Sequence, residues 1–165
     1  MARQEGVVIV TIHEAMQELS SFVERNRPFF PKLDLTTPCP LDAKIFPDEW
    51  SQVRPPQNGM YVIFRSESQE IVYVGIAASV ERRIYEHIGP FSWARSGSQC
   101  NFPNMALAAQ RPWLAAQTQD LLRRGDFRVQ VIGVTPPECY ALLEAFLIAR
   151  AFVKEGRRPE VNAGF

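Results

Sequence analysis

Glu144 is the only charged residue between Glu138 and Arg150, in a stretch otherwise made of apolar side chains. A carboxylate held in apolar surroundings costs on the order of several kcal/mol unless a cation, a hydrogen bond or a proton compensates it. It therefore offers a ligand for a hard cation or an acid–base group; an ion pair with an arginine from another helix, or a solvent-facing position, explains it equally well. Arg83 and His87 are four residues apart, hence on one face of a helix, where both can address a phosphate or simply form a solvated surface. Arg82 competes with Arg83, since periodicity does not separate the two. Tyr61 and Tyr73 lie in two runs of β-branched and aromatic residues. Packing alone accounts for strand tyrosines, but a phenol also donates, accepts and, when ionised, takes a proton from water.

The joint spacing is more specific than any one residue. Gly59-Met60-Tyr61 is followed after eleven residues by Tyr73-Val74-Gly75; Arg83 stands eight residues beyond that glycine and His87 four further on. Glu144 follows in a late apolar run, and Pro159-Glu160-Val161-Asn162 closes the series. This pattern, from about Gly59 to Asn162, resembles the core of the GIY-YIG nucleases, with a long insertion between Gly89 and Phe127. Ile76 follows Gly75 where several relatives carry a polar or lysine side chain, so a lysine at that position takes no part here.

The resemblance implies an α+β fold with a three-stranded antiparallel sheet flanked by helices. It further implies a DNA phosphodiesterase, an endonuclease using one divalent ion, Mg²⁺ or Mn²⁺, with Glu144 as metal ligand. Mg²⁺ commonly takes one or two carboxylates and completes its octahedron with waters and phosphate oxygens. In that scheme Arg83 stabilises charge on the scissile phosphate, and Tyr61 activates water as base or relay. Tyr73 and His87 position water, phosphate or Tyr61, and His87 is a rival base. A base role for Tyr61 at neutral pH requires neighbouring cations to favour the phenolate. Gly75, Asn162, Arg82 and Arg95 are the expected substrate-binding residues. The alternative is a nucleic-acid-binding module that keeps the fold and has lost turnover, or an interaction domain in which the tyrosines merely pack.

These residues need elements to hold them. Thr11-Ile12-His13-Glu14 predicts a capping box opening a helix to about Arg25, after a short strand at Val7–Val10. Seven of the thirteen prolines fall between Pro28 and Pro56, which predicts an ordered but irregular arm. Gly59–Phe64 and Ile71–Gly75, separated by a polar tract, predict a hairpin. Ser79 is a fitting N-cap for a helix through His87, which Gly89-Pro90 stops. A helical insertion over about 90–126, a strand at Phe127–Val134 and a helix from Pro137 to Glu155 complete the order. Residues 1–58 are thus expected to form an N-terminal helix and proline-rich arm, not an independent domain, on what the resemblance implies is a nuclease domain of 59–165. The arm enlarges a DNA surface, covers the cleft or contacts a second copy; sequence does not rank these, and monomer and homodimer both remain open.

Composition sets the outer limits. The chain has 165 residues, 46% hydrophobic, with 18 basic and 18 acidic side chains, so net charge alone does not suggest nucleic acid. Residues 81–165 nonetheless carry eleven basic against eight acidic groups, nearly all of the basic ones arginine, whose fork of donors suits phosphate. Phe91, Trp93 and Phe102, interleaved with Arg95 and Arg111, form either a stacking edge for nucleic acid or a small core of their own. Cys39, Cys100 and Cys139 form no metal-binding pair. With neither a membrane-spanning run nor a signal-peptide pattern, the expectation is an intracellular, cytoplasmic protein with no membrane partner.

Overall fold

Thr11 caps the first helix as its sequence requires: its hydroxyl accepts from the Glu14 amide at 3.3 Å, and the Glu14 carboxylate accepts from the Thr11 amide at 3.2 Å. In the computed structural model, which describes residues 10–41, 46–88, 117, 120–122 and 124–155, this helix is α1 (Ile12–Arg25). It buries Ile12, Ala15, Met16, Leu19 and Val23, a stripe at helical spacing. Asn26 then closes it by donating from its side-chain amide to the Phe22 carbonyl.

Among the described residues the remaining elements are β1 (Lys32–Leu35), β2 (Cys39–Pro40), α2 (Phe46–Val53), β3 (Gly59–Arg65), β4 (Ile71–Ala77), α3 (Val80–Ile88), β5 (Phe127–Thr135), a 3-10 turn at Pro137–Cys139, and α4 (Tyr140–Glu155). The fold is α+β, an open antiparallel sheet of five strands flanked by helices. Its order is β1-β5-β3-β4, with β2 also pairing with β5.

The sheet corrects the expectation of three strands and an irregular arm. β3, β4 and β5 are the three expected strands, and the arm adds β1 and β2 to the outer side of β5. β1 (Lys32-Leu33-Asp34-Leu35) alternates over only four residues and β2 has only two, so each takes its conformation from β5 rather than from a sustained pattern of its own. Thr36 joins them to that strand: its hydroxyl accepts from the Val131 amide at 3.0 Å, and its carbonyl accepts from the Gln130 side chain at 2.7 Å. Of the short N-terminal strand, Val10 and Thr11 are described; the Val10 carbonyl accepts from Ile71, and Thr11 bridges to Glu70. The insertion lies largely outside the described residues, of which Gln117 and residues 120–122 are helical.

β3 is buried on both faces, which explains why it reads as an unbroken apolar run. Met60, Val62 and Phe64 join Ile132 and Val134 of β5 under α1 and α4. Tyr61 and Ile63 face the other way, with Val129 and Val131, Trp50 of α2, and Val80 and Ile84 of α3. Helices thus cover both faces, and α4 is tied to α1 by Arg150, whose guanidinium donates to the Glu18 carboxylate at 2.6 Å, and by Phe22 stacked on Phe146 at 4.8 Å. Among the described residues no helix is long and apolar enough to cross a membrane.

Candidate active site

Tyr61 points from the central strand into the layer between sheet and α3. His87 enters that layer from the last turn of α3, because Val80, Ile84 and His87 share one face of the helix. Tyr61 Oη and His87 Nε2 are 2.8 Å apart. Tyr61 is 1% exposed and His87 4%, so the pair is sealed. Tyr73 reaches them from β4, its ring centroid 5.8 Å from Tyr61 and 5.5 Å from His87, edge-on to the imidazole.

Two features of β4 create this arrangement. Ile63 pairs with Tyr73 and Phe64 with Ile71, so Val72 is left over as a bulge, and Val72 and Tyr73 both pack in the Tyr61 layer although they are neighbours in sequence. Opposite Tyr61 stands Gly75. A Cβ built on Gly75 would lie 2.7 Å from the Tyr73 ring, 2.8 Å from Tyr61 Oη and 2.9 Å from Tyr61 Cζ. Gly75 is buried beneath the tyrosines and supplies space to them. Gly75→Ala is therefore expected to break the Tyr61–His87 bond and destabilise the fold by about 1–3 kcal/mol, the usual scale of overpacking. Denaturant unfolding and the shift of the His87 ring resonances measure both effects.

The charges around Tyr61 come from two further elements. Arg83 acts on the phenol from α3 and Glu144 from α4. Glu144 does so although α4 packs on the opposite face of the sheet, over the outermost strand β4. Arg83, rather than Arg82, is the arginine whose charge reaches Tyr61, a choice the spacing had left open. Burial pushes the phenol well above the ordinary tyrosine range, Tyr73 pushes the same way by its charge and by a hydrogen bond, and the opposing pull of Arg83 does not compensate. The route through a cation-favoured phenolate is thus disfavoured, because desolvation outweighs the cation.

Glu144 is half-buried, and desolvation raises its carboxyl above the usual range. No hydrogen bond or ion pair compensates it among the described residues; the arginine of its own helix, Arg150, is engaged with Glu18 instead. A hard cation completed by water and phosphate fits such a carboxylate. Among the described residues there is no group of three or more His, Cys, Asp or Glu able to cage a metal alone.

Tyr61, Tyr73 and His87 are thus brought into contact from β3, β4 and α3, whereas Arg83 of α3 and Glu144 of α4 act on Tyr61 through their charge. Arg82 is 72% exposed on α3, and Ile76 is 40% exposed on the face of β4 opposite Tyr73. Asn162, Arg95 and the aromatic residues of the insertion lie outside the described residues. Sequence reasoning missed Glu86, which joins Arg82 to Arg83 and whose signal was its i+4 and i+3 spacing from them. Cys39 is buried with its thiol pushed up to about 11, chiefly by burial, which makes it an inert core group. No protein-family model matches the chain, and no curated protein or solved structure matches it either.

Proposed function

We propose that this chain is a DNA endonuclease of the GIY-YIG type that hydrolyses phosphodiester bonds with one divalent ion, Mg²⁺ or Mn²⁺. The observation that carries this reading is a buried Tyr61–His87 pair acted on by the charges of Arg83 and of Glu144, whose carboxyl no partner among the described residues compensates. A domain that only packs has no use for that combination.

In this reading Glu144 holds the metal, which supplies Lewis-acid stabilisation of the phosphate. Arg83 gives one N–H to Glu86 and keeps its other donors for a phosphate oxygen as charge develops there. The high phenol pKa favours a relay over a standing phenolate. Because Tyr61 and His87 are sealed in the free protein, a relay from the attacking water through Tyr61 Oη to His87 Nε2 requires the layer over them to open when DNA binds; the ring accepts the proton when its own resides on Nδ1. Tyr73 fixes the phenol through its hydrogen bond and ring contact.

A second reading, a nucleic-acid-binding module without turnover, is favoured by one observation, the sealing of Tyr61 and His87 from solvent. Supercoiled plasmid incubated with the protein decides between them. Nicked or linear product with Mg²⁺ or Mn²⁺ and none with chelator supports the nuclease. Retarded but intact plasmid supports the binding module, and neither effect removes both. Arg83→Ala is expected to slow cleavage by at least ~100-fold while weakening DNA affinity only about threefold, since one phosphate contact among several adds little to binding but its charge is needed in the transition state. Cleavage rates and filter-binding constants of Arg83→Ala and Arg82→Ala check it; the reverse ranking would give the catalytic place to Arg82.

A further inference from the structure

Glu86 precedes His87 on α3 and follows Arg82 and Arg83 by four and three residues. Each arginine donates to a different oxygen of its carboxylate: Arg82 from Nε to Oε1 and Arg83 from Nη1 to Oε2, both at 3.0 Å. The Glu86 side chain is 25% exposed, against 72% and 48% for the arginines, so two solvent-facing cations are drawn onto a more fixed anion. Two oxygens of one acid, each accepting from a different guanidinium, form the pattern that the two non-bridging oxygens of a phosphodiester make with a pair of arginines. Arg83 stands one helical turn before His87, which bonds Tyr61, and its charge acts on that phenol, so this pattern lies beside the candidate site.

Resting on the nuclease reading, we propose that Glu86 occupies the phosphate seat of Arg82 and Arg83 in the free protein, and that a DNA phosphodiester binds there by replacing the carboxylate. Exposed ion pairs on a helix are weak and salt-screened, so the exchange is open to a ligand that brings other contacts with it. Duplex DNA does so, because its neighbouring phosphates engage the surface together. A free phosphate ion brings no such help and competes against a carboxylate already tethered in place. The seat therefore selects polyanionic substrate over the small phosphates of solution.

Binding of a labelled DNA duplex, measured in chelator across a salt series, tests the seat without turnover. Glu86→Gln, nearly identical in shape, is expected to bind about three- to tenfold more tightly at low salt, the gain shrinking as salt screens the wild-type pairs. Glu86→Ala should change affinity in the same sense. Inorganic phosphate at about 10 mM should compete with DNA better against Glu86→Gln than against wild type, since the tethered competitor has gone. Glu81, exposed on the same helix and bonded to neither arginine among the described residues, provides the control: Glu81→Gln removes the same charge and should alter affinity less than about twofold. Equal tightening by Glu81→Gln, or binding by Glu86→Gln that is unchanged or weaker, overturns the seat and leaves the nuclease reading standing. Failure of the wild type to bind DNA overturns both.

Discussion

Glu144→Gln should abolish divalent-dependent cleavage and at the same time make the protein more resistant to heat at neutral pH. The two effects have one cause. The Glu144 carboxyl is raised by desolvation, and no partner among the described residues offsets it. A carboxyl whose folded-state pKa lies above its unfolded value binds its proton more tightly when folded, so its ionisation opposes folding as pH rises. Below the unfolded value, about 4.3, both states are protonated and wild type should match Glu144→Gln. Above it the melting temperatures should part, with Glu144→Gln the higher. Mg²⁺ should then raise the melting temperature of wild type and not that of Glu144→Gln, because a ligand of the folded state stabilises it in proportion to occupancy. Equal melting of the two proteins from pH 4 to 8, or an equal response to Mg²⁺, would remove Glu144 as the metal ligand.

Tyr61→Phe is expected to keep the ring in place yet cut plasmid at least ~100-fold more slowly, the lower scale for losing a general base or relay. The stability cost should be about 1–3 kcal/mol, since the change leaves His87 Nε2 without the phenol in a sealed layer. DNA affinity should hold, as Tyr61 is almost wholly buried. Because burial keeps the phenol protonated, wild-type cleavage should show no limb rising toward the ordinary tyrosine range near pH 10. A tenfold rise per pH unit there, lost in Tyr61→Phe, would restore the phenolate as base. Near-wild-type cleavage by Tyr61→Phe with an inactive His87→Ala would leave the imidazole acting alone.

What was legible in the chain follows from which elements carry their own instructions. The capping box at Thr11 and Glu14 fixed the start of α1 because both partners are local. The Gly59–Phe64 and Ile71–Gly75 runs announced β3 and β4, being rich in residues that suit a pleated, covered surface. Spacing also named Tyr61, Tyr73 and His87, which pack against one another, and Glu144, whose charge acts on Tyr61. Three features were not legible. The bulge at Val72 depends on pairing with Phe64 and leaves no mark on β4 alone. β1 and β2 are too short to show a period and are shaped by β5. The high pKa of Tyr61 arises from how closely α2, α3 and the sheet enclose it, a property of the assembled layer.

The attachment of the arm to β5 also governs when the molecule can form. Gln130 and Thr36, which join the two segments, are 94 residues apart in sequence, and the β1 register runs from Lys32 opposite Thr135 to Leu35 opposite Ile132. During synthesis the arm emerges long before its partner strand and must wait for it. Pairings of such long range meet their loop-closure entropy before they return any contact, which slows folding. Until β5 arrives, β3 and β4 also lack their third strand, and an isolated hairpin is at best marginal in water. Helix α1 can assemble early from local signals, whereas β5 and Glu144 come only with the last third of the chain; partly synthesised protein therefore lacks a complete site.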